Sequence, residues 1–316
     1  MSAAAAGFLV GSGRAFSPPV SIALEPSNVC NLRCPLCAAG AGTLTRPKGF
    51  MTFEQFRYLA DMLPVSVRTL YLWGQGEPFL APDLLRMVSH AERNGIRTIV
   101  STNGNCFTDI PELIASGLSK LIVSLDGLDP EMYASYRIGG DFESVVRSVR
   151  NIADEKRSSG RGPLIELQYL ATADTESALG NFRAFGQSLG ADRVVCKTLQ
   201  AAWISGGERK LPADARLTRY RRNGDGSLVP DRYPFLGNRC LRLYYSSQID
   251  WQGNVVPCCF DKNSDHIMGN VFDQPFHEIW NGGKYRAFRS MLNRRGRCFD
   301  MCRDCSEGLK KVYVNV

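Results

Sequence analysis

The eight residues Cys30-Asn31-Leu32-Arg33-Cys34-Pro35-Leu36-Cys37 put three thiols on one short stretch of chain. Thiolates are soft ligands suited to iron-sulfur clusters or zinc, and a compact loop can wrap a single centre. Three local cysteines rather than four leave one metal position open, which an enzyme needs if a substrate or cofactor is to bind that metal. A second set lies towards the other end. Twelve residues separate Cys240 from Gly253, four separate Gly253 from Cys258, and Cys302-Arg303-Asp304-Cys305 follows. The eleven cysteines are an odd count and no credible export signal precedes them. That pattern points to metal ligands in a reducing cytoplasm rather than to a disulfide framework.

The elements that must position these thiols read as βα units. From residue 20 to about 200, short apolar runs alternate with amphipathic stretches, the pattern of a parallel sheet. Expected strands are Val20 to Glu25, Thr69 to Trp73, Thr98 to Thr102, Lys120 to Leu125, Ile165 to Ala171 and Arg193 to Leu199. Their Val, Ile and Leu content suits strands covered on both faces. Expected helices are Thr52 to Leu63, Pro82 to Asn94, Asp109 to Ser116, Asp141 to Ala153 and Glu176 to Leu189, several opening on Thr or Asp and closing near Gly95, Gly117 and Gly190. Six such units describe three quarters of a (β/α)₈ barrel, whose ligands sit at the C-terminal strand ends. The fold class is therefore α/β, a partial (β/α)₆ TIM-like barrel with a small C-terminal domain that carries the second cysteine set.

Four segments are expected: a flexible N-terminus over 1–19, the barrel over 20–216, a linker over 217–237 and an auxiliary region over 238–316. In the last, Ser247 to Phe260 reads as a hairpin turning at Asp250-Trp251-Gln252-Gly253, followed by a helix over Phe276 to Leu292.

Composition sets the outer limits. At 316 residues, 44% hydrophobic and 22% charged, the chain can bury a core without staples and is neither disordered nor fibrous. The net charge of +7 has dense points at Arg219, Arg221 and Arg222, and at Arg294, Arg295 and Arg297. These read as solvated faces, and nucleic acid is not an expected partner. No apolar run approaches the roughly 20 residues of a membrane helix.

The CxxxCxxC spacing after a strand resembles the radical S-adenosylmethionine (SAM) superfamily. The resemblance implies that Cys30, Cys34 and Cys37 hold a 4Fe-4S cluster whose fourth iron is chelated by SAM. Trp73-Gly74-Gln75-Gly76-Glu77-Pro78 resembles the family's glycine-glycine-glutamate motif, with Gln75 splitting the glycines. It implies that Gly76 lets backbone approach SAM and that Glu77 accepts hydrogen bonds from its ammonium group. Ser101-Thr102-Asn103-Gly104 and Ser124-Leu125-Asp126-Gly127 close the third and fourth strands, and their order assigns Asn103 and Ser124 to SAM. Alone, such tetrapeptides are ordinary caps and turns. Tyr136-Arg137-Ile138-Gly139-Gly140 looks like the segment in which an arginine meets the SAM carboxylate. The competing reading of Arg137 is a surface residue before a glycine loop.

The second set resembles the SPASM/twitch region of the same family. By that resemblance Cys240, Cys258, Cys302 and Cys305 ligate one auxiliary 4Fe-4S cluster. Cys298 repeats the first loop's spacing with Cys302 and Cys305, so a ligand swap stays open. Cys259 is read as a thiol able to return a hydrogen atom to a substrate radical, against the plainer reading of a small buried hydrophobe. Cys106 and Cys196 read as structural.

The function so implied is reductive cleavage of SAM to a 5′-deoxyadenosyl radical, which abstracts hydrogen from a small molecule of sugar or aminocyclitol type. Epimerisation or dehydrogenation follows, with flavodoxin or ferredoxin as electron donor. The alternatives are modification of a ribosomally made peptide and, from another class, a non-catalytic iron-sulfur or zinc protein.

Overall fold

The structure is a computed structural model that describes residues 3–107, 109–201, 206–234 and 239–314. Residues 1–2 of the expected N-terminus, 235–237 of the expected linker, and 238 and 315–316 of the expected auxiliary region lie outside the described residues. The strands are β1 (Ser21–Leu24), β2 (Thr69–Leu72), β3 (Arg97–Thr102), β4 (Lys120–Ser124), β5 (Leu164–Ala171), β6 (Arg193–Thr198), β7 (Tyr220–Arg222), β8 (Leu228–Pro230), β9 (Ser246–Ile249), β10 (Asn254–Val256), β11 (Gly269–Asn270) and β12 (Tyr313–Val314). The helices are α1 (Ala3–Leu9), α2 (Phe53–Asp61), α3 (Leu84–Arg93), α4 (Ile110–Ala115), α5 (Pro130–Ala134), α6 (Phe142–Ser159), α7 (Leu179–Ser188), α8 (Phe276–Trp280) and α9 (Gly283–Arg295).

Helix starts follow the local chemistry of the chain. Thr52 and Gln55 form a reciprocal capping box on α2, while Asp109, Asp129 and Asp141 each accept a backbone N–H at the start of α4, α5 and α6. α6 ends on Gly160 in the left-handed conformation.

Contacts divide the chain into two units, one of Met1–Val29, Leu44–Ile99 and Pro234–Gly308, the other of Cys30–Thr43, Val100–Tyr233 and Leu309–Val316. In the first unit β1 lies between two parallel partners, β2 and β9, with Ile22 opposite both Leu70 and Ser247. β9 turns through Gly253, at φ +84°, into antiparallel β10, and β11 pairs with β10. The expected hairpin is therefore present, but as an extension of the sheet that starts at β1 rather than as a free-standing module. α2 and α3 carry buried Phe56, Leu59, Met87 and Val88.

In the second unit β4, β5 and β6 are parallel, and β12 closes the edge of β6 antiparallel. Tyr169 of β5 stacks on Phe182 of α7 with ring centroids 4.0 Å apart, and Gly186 of α7 brings that helix against Val194 and Leu167. The face under α7 is mostly apolar, with Ile165, Leu167, Val194 and Cys196 on it. The opposite face is not, because alternation places Glu166 and Gln168 there.

Three further differences are local. The N-terminal segment expected to be flexible forms α1, with Phe8 buried beside Tyr244 and the Tyr244 hydroxyl donating to the Ser12 carbonyl at 2.6 Å. The expected linker contains the β7–β8 hairpin. The expected helix over Phe276 to Leu292 is two helices, parted at Asn281-Gly282. There Asn281 bonds back to Ala15, while Arg289 lies fully buried against the Trp280 and Tyr285 rings at 4.3 and 4.2 Å.

Candidate cluster and cofactor sites

The first cysteine loop belongs to the second unit. Cys34 is buried among Leu32, Leu36, Tyr136, Leu199 and Tyr220, with Cys30, Cys37 and Leu170 packed on the same cluster. The loop is tight: a Cβ on Gly40 would sit 2.6 Å from the Cys34 nitrogen. N–H groups approach the sulfurs. The Leu32 amide is 3.5 Å and Asn103 Nδ2 3.9 Å from Cys30 Sγ, and Arg137 Nη1 is 3.8 Å from Cys34 Sγ. Such donors stabilise charge on cluster sulfurs. Burial pushes the bare Cys34 thiol up to about 11, Arg137 opposing and Cys37, Asp126 and Cys30 adding to the rise. A thiolate there requires the positive charge a metal centre supplies.

Asn103 donates to Asn31 Oδ1 at 2.8 Å and accepts the Asn105 amide at 2.9 Å, so it braces the loop. Ser124 ends β4 half-buried, opposite Gln168. Arg137, expected at the SAM carboxylate, spends its Nε on Asp126 Oδ2 at 2.6 Å and turns the Nη1 edge to Cys34. Asp126 is a residue whose role was not legible in the sequence. It has a φ of +52° without being glycine, is 1% exposed, and its Oδ1 has no hydrogen-bond partner among the described residues. Held strain of this kind is typical of sites that orient a charge.

Gly76 and Glu77 belong to the first unit. A Cβ on Gly76 would fall 2.5 Å from the Val29 carbonyl, so only glycine fits, and the Glu77 amide donates to that same carbonyl at 2.8 Å. Glu77 is 2% exposed and its Oε1 accepts the Phe79 amide at 3.1 Å. Beneath this loop lies a pair that the sequence did not announce. Arg46 grips buried Glu25 through two bonds of 2.6 and 2.5 Å and donates to the Lys262 carbonyl at 2.8 Å. Glu25 Oε2 also accepts the Gln75 amide at 2.9 Å. Gln75, the residue that splits the glycines, reaches the Cys259 carbonyl at 3.4 Å.

Cys240, Cys258, Cys302 and Cys305 line one pocket of the first unit, together with Phe260, Phe288, Met301 and Glu307. Arg297 donates to Cys305 Sγ. Burial pushes Cys240 up to about 11 and Cys302 up to about 12. Cys298 is exposed, and Cys259 directs its Sγ to Arg242 Nη1 at 3.8 Å. Among the described residues no three His, Cys, Asp or Glu side chains converge closely enough for a single metal ion. Thiols ranged around a pocket suit a centre of several irons, each taking one thiolate.

The cysteine loop after the first strand and the second set at the chain's other end are matched separately. Residues 24–165 match the radical SAM superfamily, and residues 240–306 match SPASM, an iron-sulfur cluster-binding domain. The chain belongs to the radical SAM superfamily. Its cofactors are SAM and 4Fe-4S clusters, and like other radical SAM enzymes it needs an electron donor. It is 24% identical to an AdoMet-dependent heme synthase of Methanosarcina barkeri, over 89% of this chain and 87% of that protein. Two solved structures share the radical SAM fold. BtrN in complex with AdoMet and 2-DOIA aligns with a TM-score of 0.56 at 22% identity, over 92% of this chain and 94% of BtrN. Streptococcus suis SuiB bound to the precursor peptide SuiA aligns with 0.66 at 16% identity, over 87% and 68%. Both place the chain in the partial-barrel class. No helix among the described residues is long and apolar enough to cross a membrane.

The pocket carries a first prediction. Cys302→Ala removes a buried thiol from the SPASM pocket and leaves Cys30, Cys34 and Cys37 in place. Iron content after reconstitution should fall by about four per chain, while deoxyadenosine is still formed from SAM. Unchanged iron would show that Cys302 is not a ligand.

Proposed function

We propose that this radical SAM enzyme abstracts a hydrogen atom from a small polar molecule of sugar or aminocyclitol type and ends the reaction by epimerisation or dehydrogenation. Cys30, Cys34 and Cys37 would hold the SAM-binding cluster, and Cys240, Cys258, Cys302 and Cys305 one auxiliary cluster. When bound, SAM and its cluster supply a 5′-deoxyadenosyl radical. The chain supplies the rest. Gly76 and Glu77 receive the aminoacyl end of SAM, Asn103 and Ser124 offer polar groups at strand ends, and Arg137 keeps positive charge beside Cys34 and the carboxylate of SAM. Apolar packing around the loop excludes water from the reacting carbon. An electron carrier of flavodoxin or ferredoxin type is the proposed donor. Segments 20–216 and 238–316 are the proposed barrel and auxiliary domain.

The observation that carries this reading is the position of Cys259. Its carbonyl accepts from Gln75 of the SAM loop, its thiol faces Arg242, and its neighbour Cys258 lines the SPASM pocket. A thiol so held can return a hydrogen atom to a substrate radical, and that step inverts a carbon centre. BtrN, crystallised with 2-DOIA, favours a small molecule. SuiB, crystallised with a precursor peptide, favours the second reading, a peptide substrate.

The test uses deuterium oxide, because a thiol proton exchanges with solvent. The holoenzyme should place one solvent deuterium in an epimerised product. Cys259→Ala should still form deoxyadenosine and lose that product at least about 100-fold. Full deuterium incorporation by the variant would remove Cys259 from the mechanism.

A further inference from the structure

The β4–β5–β6 face turned away from α7 carries a row of polar side chains, of which the cofactor assignments use only Ser124. Strands of a parallel sheet covered on both faces are ordinarily apolar throughout, because an unpaired charge there costs several kilocalories. Here register and alternation put Lys120 and Ser124 of β4, Glu166 and Gln168 of β5, and Lys197 of β6 on one face. Leu170, the cross-strand partner of Lys197, packs on the hydrophobic cluster that contains Cys34. The row therefore runs up to the cysteine loop.

Its charges do not cancel. Glu166, 3% exposed, is saturated: Lys120 Nζ donates to Oε2 at 2.7 Å and Gln168 Nε2 to Oε1 at 2.8 Å. Arg219, 5% exposed, donates to the Thr198 carbonyl and hydroxyl and adds positive charge beside Lys197. The half-buried Lys197 ammonium meets the Tyr313 ring at 5.8 Å and, among the described residues, no hydrogen-bond acceptor and no carboxylate at ion-pair distance. Burial lowers its pKa; Glu166 and Asp126 oppose this, and Arg219 and Lys120 reinforce it. An ammonium has three donors and no acceptor capacity, so its missing partner is an oxygen anion or a strong oxygen acceptor.

We propose that Lys197 anchors a carboxylate or phosphate group of the substrate, making the substrate an anionic small molecule held on the β4–β6 face beside the cysteine loop. Lys120, Glu166 and Gln168 form the neutral, hydrogen-bonding floor of that site. This rests on the reading that the substrate is a small molecule.

The experiment is calorimetric titration of the reconstituted, SAM-loaded holoenzyme with inorganic phosphate, glucose 6-phosphate and glucuronate, with glucose as the neutral control. The phosphate and carboxylate probes separate the two sources of charge. At least one anionic probe should bind more tightly than glucose. Lys197→Gln should weaken that probe about tenfold or more, the effect of losing one charge-assisted bond. Lys197→Arg should keep it within about threefold, and SAM affinity should be unchanged in both variants. Binding of glucose as tight as that of the anions, no binding of any anion, or anion binding untouched in Lys197→Gln would overturn the proposal. Failure of the wild type to form deoxyadenosine would count against the radical chemistry instead, and leaves the binding result to be judged by itself.

Discussion

Cys34→Ala should lower deoxyadenosine formation from SAM by at least about 1,000-fold, equivalent to about 4 kcal/mol of lost transition-state stabilisation, and should leave the SPASM cluster in place. Cys34 is 4% exposed and stands at the centre of the first loop, with an arginine edge on its sulfur. Losing one of the three proposed ligands would leave the site short of a thiolate to hold the SAM-binding cluster. The other four thiols belong to a different unit and line their own pocket. Iron after anaerobic reconstitution should therefore fall from about eight to about four per chain. The paired measurements are an iron count and deoxyadenosine quantified under reduction. Retained cleavage would sink the ligand assignment, and loss of all iron would mean that the two sites do not load separately.

Glu25→Ala should destabilise the protein by about 3–5 kcal/mol, because it strands the Arg46 guanidinium, 6% exposed, without its counter-charge. Glu25→Ala with Arg46→Ala should recover part of that loss, since the double variant buries no charge. Denaturant unfolding of the three variants forms the required cycle. A second effect separates positioning from bulk stability. Glu25 also accepts the Gln75 amide, and a Cβ on Gly74 would fall 2.2 Å from its carboxylate, so the loop carrying Gly76 and Glu77 rests on it. SAM affinity of folded Glu25→Gln should drop about tenfold, consistent with loss of one charged hydrogen bond to the loop. Equal SAM affinity in the variant and the wild type would leave Glu25 with a purely structural role.

Much of the fold was legible because its signals are local. A run of β-branched and apolar residues forms a strand whatever surrounds it, and each expected barrel strand lies within one residue of its observed ends. Caps behave the same way, and Asp109 and Asp141 start their helices through their own side chains. α5 was missed. Its five residues are too few for a periodic signal, although Asp129-Pro130 is a recognisable start. The continuous helix expected over Phe276 to Leu292 failed at Asn281-Gly282, where a bond to Ala15, far away in sequence, outweighs helical propensity.

Radical SAM chemistry was legible without coordinates, because the cysteine spacings that point to it are local, and the radical SAM and SPASM matches agree with that reading. Tertiary structure decided whatever depends on residues remote in sequence or on which face of a strand is covered. It joined Glu25 to Arg46 and Gln75 to Cys259, paired β9 with β1, placed Arg137 on Asp126, and drew Cys240, Cys258, Cys302 and Cys305 to one pocket. It also decided which covered face of the strands carries charge. Glu166 and Lys197 interrupt their strands by single residues, which composition averages away. Only register brings them onto a common face, where a buried charge must find a partner.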